Sequence, residues 1–424
     1  MNVHTSQPRT PAETALIEAF SERVGDLPGN ADVAIARDTA LEALKIQGLP
    51  SRRIESWHYT DFRTLLRSVA PFDAAAGSQP IAPLIAGSTV AAVSNGATIS
   101  AGQADGVTFG KLSDKLADGT FAPSLATRST DDLIGQINAA YVTDGWSVDI
   151  AEGTQLGAPI ELQNLQKWGQ GHVRFPVRVG RQAKATIVER QYGGEDEAFS
   201  SSISQLTLAD GAEVVWIILR QHSDTSSVQL AQFNASLGKD ARLTLFIVNA
   251  GGKLVRQEVH VQARGEGSDF QLRGINLLGG ATHTDVTMTV GHLVENTTST
   301  EIVRNVVTGR ARGAFQGMIR VAQIAQKTDA RMACNSLLLS DDSEFDAKPE
   351  LEIFADDVAC GHGATVAEID QDHLFYLMAR GIPEKEARGL LVKAFVAEII
   401  EELEDEPLVD VLEGILEDWL SAHG

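Results

Sequence analysis

The chain holds two cysteines in 424 residues, Cys334 and Cys360. Two thiols do not make a disulfide framework, so the expected compartment is the reducing cytoplasm. No apolar run approaches the roughly 20 residues of a membrane span. The N-terminus, Met1-Asn2-Val3-His4, has no charged start followed by an apolar core, so no secretory signal is expected. Basic residues are outnumbered 35 to 57, for a net charge of −22. Such a surface repels phosphates and anionic lipid, which argues against nucleic-acid and membrane partners. Nucleotide motifs are missing too. Gly106-Val-Thr-Phe-Gly110-Lys111-Leu112 is one residue short of a P-loop and has Leu where Ser or Thr would hold Mg²⁺. There is no Gly-x-Gly-x-x-Gly between a strand and a helix, no Gly-x-Ser-x-Gly elbow and no His-Glu-x-x-His.

What remains is a long chain, 43% hydrophobic, that calls for two or three domains. Residues 1–80 read as a helical region. Thr10-Pro11-Ala12-Glu13 has the form of an N-cap, a proline at the first helical position and a capping-box glutamate. A second helix is expected from Ala31 to Gln47, stopped by Gly48 and Pro50. Arg52 to Phe62 interleaves Trp57, His58 and Tyr59 with charges and reads as an arm that docks on a neighbouring domain. Residues 81–145 form a mixed α/β lead-in, with a helix near Thr130–Tyr141. Residues 146–345 show almost no helical period, and short strands follow one another from Val173–Val179 to Ala314–Val321. Glycine-marked turns precede β-runs at Gly180, Gly211, Gly238 and Gly265, at intervals of 31, 27 and 27 residues. A fixed period in this range signals stacked repeats. The fold class expected is mainly β, a parallel β-helix core flanked by helical regions, with a β-sandwich as the alternative. Terminal rungs expose open backbone edges, and the flanking helices are expected to cover them. Residues 346–424 hold a Cys-x-His junction and three helices, starting near Asp370, Pro383 and Pro407.

Chemistry concentrates in Asp356-Asp-Val-Ala-Cys360-Gly-His362-Gly-Ala-Thr365. Thiolate and imidazole both bind iron and zinc. Cys334 stands 26 residues before Cys360 without a Cys-x-x-Cys, so a self-contained site is not expected. Two ligands do not close a tetrahedral site, and the rest would come from elsewhere, including another chain. The competing reading is a buried structural cysteine beside a hydrogen-bonded histidine. Gly361 and Gly363 would permit tight turns and close approach of another backbone.

The segments Ser336-Leu-Leu-Leu-Ser-Asp-Asp342, Lys348-Pro-Glu-Leu-Glu-Ile353, Asp356 to Val366, and Leu374-Phe-Tyr-Leu377 with Arg380-Gly-Ile382 strongly resemble the SufB/SufD family of iron–sulfur cluster assembly scaffolds. Trp57-His-Tyr-Thr-Asp61 is similar to that family's N-terminal signature. The Cys-x-His-Gly-Ala-Thr form and the chain length are similar to D-type members. The resemblance implies a right-handed parallel β-helix and a non-catalytic scaffold. It implies pairing with a B-type subunit, or a homodimer when the B-type partner is absent, and docking of a SufC-like ABC-type ATPase through the C-terminal helices. It implies a nascent iron–sulfur cluster or iron held transiently at the B–D interface, with His362 and Cys360 as metal ligands and Cys334 as a secondary candidate. Flavin accompanies the family at the level of the complex, but no flavin motif is found here. Gly361 stands where relatives more often have Ser. Two rival classes are a stand-alone β-helix enzyme acting on polysaccharide, disfavoured by an aromatic content of 6%, and a structural partner with an inert Cys/His pair.

Overall fold

The computed structural model describes residues 8–72, 77–403 and 405–423; the first seven residues, read above for a secretory signal, lie outside them. Strands that follow one another in sequence fall in opposite sheets. Ser227–Leu237 pairs in parallel with Ala198–Leu208 and Leu254–Ala263, while Arg242–Asn249, between them in sequence, pairs with Glu213–Gln221 and Asp269–Leu278. Repeated along the chain, this winding builds one ten-stranded and one nine-stranded sheet, each growing by a strand per turn. The core is therefore the expected β-solenoid and not a sandwich.

The glycine period has in part a steric cause. Gly180, Gly238 and Gly265 occupy the same corner of the solenoid, each stacked on the backbone of the turn before, with Ala209 at that corner in the turn between Gly180 and Gly238. A Cβ on Gly265 would lie 2.0 Å from the Lys239 nitrogen, and one on Gly180 would lie 2.5 Å from that of Glu152. At these turns the approach leaves no room for a side chain.

Inside, alternate residues of each strand stack in register. Val214, Trp216 and Ile218 of one turn lie beside Leu243, Leu245 and Ile247 of the next, all buried. Burying each such side chain contributes on the order of 1.5–3 kcal/mol. The apolar interior is threaded by a polar ladder. Arg220 donates to the Asn249 side chain at 2.5 Å, Asn249 to Asn276 at 2.7 Å, and Asn276 to Asn305 at 2.7 Å. Each amide satisfies the next, so burial does not leave these groups unpaired.

The flanking helices cover faces. Pro11–Arg23, Ala31–Gln47 and Leu133–Tyr141 pack Leu16, Phe20, Leu41, Ile134 and Tyr141 against Phe199, Ile203, Leu230 and Leu254 of the nine-stranded sheet. The first of these helices has the expected capping box, and Glu13 also accepts from the Leu49 N–H at 2.7 Å and from Arg63 at 2.6 Å. The arm docks as expected: Trp57 is buried, with the Arg256 guanidinium 4.4 Å from its ring centre. At the other end of the chain, Gln371–Ala379, Glu384–Ile400 and Glu406–His423 lay Leu374, Val392, Val396, Leu412 and Leu416 on Ile217, Phe246, Val248 and Ile275 of the ten-stranded sheet. No helix among the described residues is long and apolar enough to cross a membrane.

The expectation that helices close both ends of the solenoid is corrected. The N-terminal end is closed by strands, Ala97–Ala101 and Val107–Lys111, each antiparallel to its neighbour. The C-terminal end is open. Its last strands, Glu344–Ile353 in one sheet and Ala359–Glu368 in the other, have a neighbour on one side only. The helices bury their apolar side chains on the outer faces of the sheets.

Candidate functional site

Cys360 and His362 sit on the last strand of the ten-stranded sheet. The stretch that looked like a glycine-rich junction is extended backbone, paired in parallel with Asp329–Leu338 so that Cys360 stands beside Ala330, His362 beside Met332 and Ala364 beside Cys334. A strand alternates its faces, so Cys360 and His362 share one, about 6.6 Å apart along the strand. That face continues the solenoid interior, because Ala330, Met332 and Cys334 are all buried. Among the described residues, no further turn covers the last rung. Cys360 is half-buried against the core, and His362 is exposed, with no hydrogen-bond partner for its ring among the described residues. Gly361 and Gly363 alternate with them on the opposite face, where an added Cβ would meet nothing within 4 Å.

The electrostatics hold the thiol in its neutral form. Burial pushes the Cys360 pKa up; a backbone hydrogen bond at Ala330 opposes this, while the charges of Asp329 and Glu301 add to it. A metal ion binding there has to displace a proton.

Cys334 is placed differently. It is fully buried, its sulfur accepts from the Asn305 side chain at 3.4 Å at the end of the asparagine ladder, and burial pushes its thiol up to about 12. It lies inside the last closed turn, diagonal to His362, where it packs as a core residue. Among the described residues, no group of three or more His, Cys, Asp or Glu side chains is close enough to hold a metal ion. The structure thus brings Cys360 and His362 together on one face and leaves Cys334 beneath them.

One residue that the sequence reading missed lies in the same column. Glu301 pairs with Met332 across the strands, and Met332 with His362. Glu301 is fully buried, and neither carboxylate oxygen finds a hydrogen-bond partner. Burial pushes its pKa up to about 8, offset in part by the neighbouring Ser299 hydroxyl, which is held by His292 at 3.1 Å. The signal was parity: Ser299, Glu301, Val303 and Asn305 alternate, and an acid in a run of otherwise small, apolar or amide inward positions is out of place.

The two open edges differ. In Glu344–Ile353, Glu344 donates its N–H to Ala311, so odd-numbered residues present their backbone outward; Pro349 is one of them and offers no N–H. That edge also carries Lys348, which is ion-paired to Glu55 of the arm. Proline and lysine are common ways to blunt an edge. In the last strand, Ala359 donates to Thr328, so Cys360, His362, Ala364, Val366 and Glu368 present theirs outward. From Cys360 to Ala367 this edge has no proline and no charged side chain, and Val366 is 45% exposed.

Comparison with known proteins agrees with this architecture. Residues 163–395 match the SUF system FeS cluster assembly SufBD core domain. The chain belongs to the SufBD family. It is 28% identical to the iron-sulfur cluster assembly protein SufD of Escherichia coli over 397 residues, covering 87% of this chain and 88% of that protein. It is 27% identical to the chloroplastic protein ABCI7 of Arabidopsis thaliana over 414 residues, 88% of this chain and 83% of that one. A SufBD family protein of Mycobacterium tuberculosis, Rv1462, is 26% identical over 404 residues, 92% and 91% of the two chains.

Proposed function

We propose that this chain is a non-catalytic scaffold subunit of the SUF machinery, acting in the cytoplasm, whose open solenoid end is closed by a B-type subunit. The observation that carries this reading is the last strand: an edge unblunted from Cys360 to Ala367, with Cys360 and His362 on the inward face of the rung that a partner would cover. A second chain adding a strand there satisfies the free backbone groups and encloses both side chains in the joint. Neutral His362 imidazole then ligates iron or a nascent cluster, Cys360 joins as thiolate after losing its proton, and the partner supplies the remaining ligands. Enclosure also keeps water and oxidants from the thiol. In the absence of a B-type subunit the same edge suits a homodimer.

The ATP chemistry belongs to an ABC-type ATPase docked on the C-terminal helices. Support comes from Phe375 and Tyr376, which are 72% and 56% exposed on the helix that follows the last strand. Apolar side chains left this open suit a partner surface.

The test is His362→Ala in cells that depend on the SUF pathway. Cluster delivery to a reporter iron–sulfur enzyme should fall sharply while the tagged variant still captures its partner subunits. Delivery at the wild-type level would remove His362 from the site.

A further inference from the structure

The outer face of the nine-stranded sheet is apolar where the N-terminal helices cover it, at Phe199, Ile203, Leu230 and Leu254. Two residues beyond Ile203 the outward row turns polar: Gln205, Asn234 and His260 stand side by side in register. With Arg174, and with Arg128 and Asp132 from the segment before Leu133–Tyr141, this row lines a cavity of about 470 Å³. That volume is in the range of small-molecule sites.

Two hydrogen-bond chains run into the cavity, and each ends on a bare acceptor. Asp132 is buried and accepts from Gln232 Nε2 at 2.9 Å, which leaves Gln232 Oε1 to face Asn234. Asn234 donates its Nδ2 to that oxygen at 3.1 Å, and its own Oδ1 has no partner among the described residues. Glu258 is ion-paired to Arg256 at 3.2 Å and takes the Nε2 hydrogen of His260 at 3.3 Å. His260 Nδ1 is then an acceptor without a donor. Burial lowers the His260 pKa, against the pull of Glu258, so the ring is neutral near pH 7. The same cavity also holds positive charge. Arg174 is buried, with Nε bonded to Asn138 at 2.6 Å and Nη1 to the Ser124 carbonyl, and its Nη2 bonds no described residue. The Arg128 side chain is 39% exposed, and its ion pair with Glu258 is long at 3.8 Å.

We infer that this cavity binds a small hydroxycarboxylate, its carboxylate held by Arg174 and Arg128 and its hydroxyls donating to Asn234 and His260. Guanidinium groups only donate, and they match a carboxylate in shape and charge. The two acceptors are uncharged, so they suit neutral O–H donors. Asp132 offsets one of the two guanidinium charges, which favours a ligand with a single negative charge over a phosphate dianion. The inference stands apart from the scaffold reading, because Cys360 and His362 lie on the other sheet.

The experiment is isothermal titration calorimetry of the full-length chain with D-gluconate, hexanoate and inorganic phosphate at fixed ionic strength. Hexanoate has the carbon chain of gluconate without its hydroxyls. Gluconate should saturate the wild type and bind at least about tenfold more tightly than hexanoate or phosphate, the factor that a net hydrogen bond supplies. Arg128→Gln should weaken gluconate by at least about tenfold. Asn234→Leu should bring gluconate down to the level of hexanoate and leave hexanoate unchanged. Thermal unfolding checks that each variant is folded, and the wild-type ratio of gluconate to hexanoate decides the matter whatever the variants do. Equal binding of gluconate and hexanoate, phosphate binding as tightly as gluconate, or a folded Arg128→Gln chain with wild-type affinity would each overturn the inference. So would a wild type that gives no saturable heat with gluconate, which would leave the two acceptors to water alone.

Discussion

Proline placed at one of two adjacent positions on the last strand should give opposite results. Ala364 turns its N–H toward the open edge, whereas Thr365 turns its own toward Asp329–Leu338, following the Ala359-to-Thr328 bond that sets the parity. Ala364→Pro therefore removes no hydrogen bond from the free chain. Its ring fixes a φ compatible with an edge strand, and the preceding Gly363 is already extended. In the complex, however, it deletes one inter-subunit hydrogen bond, worth about 1 kcal/mol net, and places ring carbons where the partner backbone must approach. Together these should weaken association by at least about tenfold, since 1.4 kcal/mol is one decade in affinity. Thr365→Pro breaks an internal ladder bond and should lower stability by about 1–3 kcal/mol, the cost of leaving its partner carbonyl unsatisfied. The assay is paired: thermal unfolding of each isolated variant, and sedimentation of each mixed with a B-type subunit. An Ala364→Pro chain that binds as tightly as the wild type would show that the partner does not pair along this edge.

Two further outcomes test the interior. His172 is buried and held near a pKa of about 3, chiefly by burial, with Arg23 and Arg37 adding to the effect; its ring bonds Ser201 at 2.8 Å and Gln170 at 3.2 Å. The unfolded chain then binds a proton that the folded chain refuses between about pH 6.5 and 3, so stability present above pH 6.5 is lost on acidification at up to about 1.4 kcal/mol per pH unit; His172→Gln should flatten the dependence of denaturation midpoint on pH by about one proton. Asn276→Ala leaves the Asn249 donor and the Asn305 acceptor unpaired inside the solenoid, at about 1–3 kcal/mol each, and urea denaturation should register a loss of about 2–6 kcal/mol, against near zero for an exposed polar position such as Arg331→Ala.

The solenoid was legible because its signals are local. Eleven strands from Val173 to Val321 could be read from β-branched runs, and the 27- and 31-residue spacing could be read from glycines in the turns between them. The last three strands, from Asp329–Leu338 onward, were not read as strands. Lys348-Pro-Glu-Leu-Glu352 alternates charge with proline, because it forms an edge that must resist pairing. Cys360-Gly-His-Gly looked like a turn because its glycines are free to bend. Its extended form comes from register with Asp329–Leu338, a long-range constraint that no window of sequence contains. Glu301 escaped for the same reason, since its place beneath His362 exists only once three turns are stacked.

In the proposed complex, placement of the flanking helices puts recognition and chemistry at one end. Both outer faces of the solenoid are covered, the nine-stranded sheet by the N-terminal helices and the ten-stranded sheet by the C-terminal ones. The first turns are sealed by antiparallel strands. The last rung is then where the interior column opens outward, and there the inward-facing positions of a strand are exposed without leaving the column. A ligand at such a position is oriented by the rigid turns behind it and finished by whatever covers the rung. His362 stands on that rung with Met332 and Glu301 behind it, on a backbone whose free edge runs the length of the strand. Pairing along the edge fixes the partner's register to within one residue, because a slip of one would turn its inward set outward. In the proposed pairing, the same hydrogen bonds that join two subunits would therefore also set which of the partner's side chains meets His362. Affinity and ligand geometry would then be coupled at this joint, and a variant that shifts the register should lose cluster assembly before it loses binding.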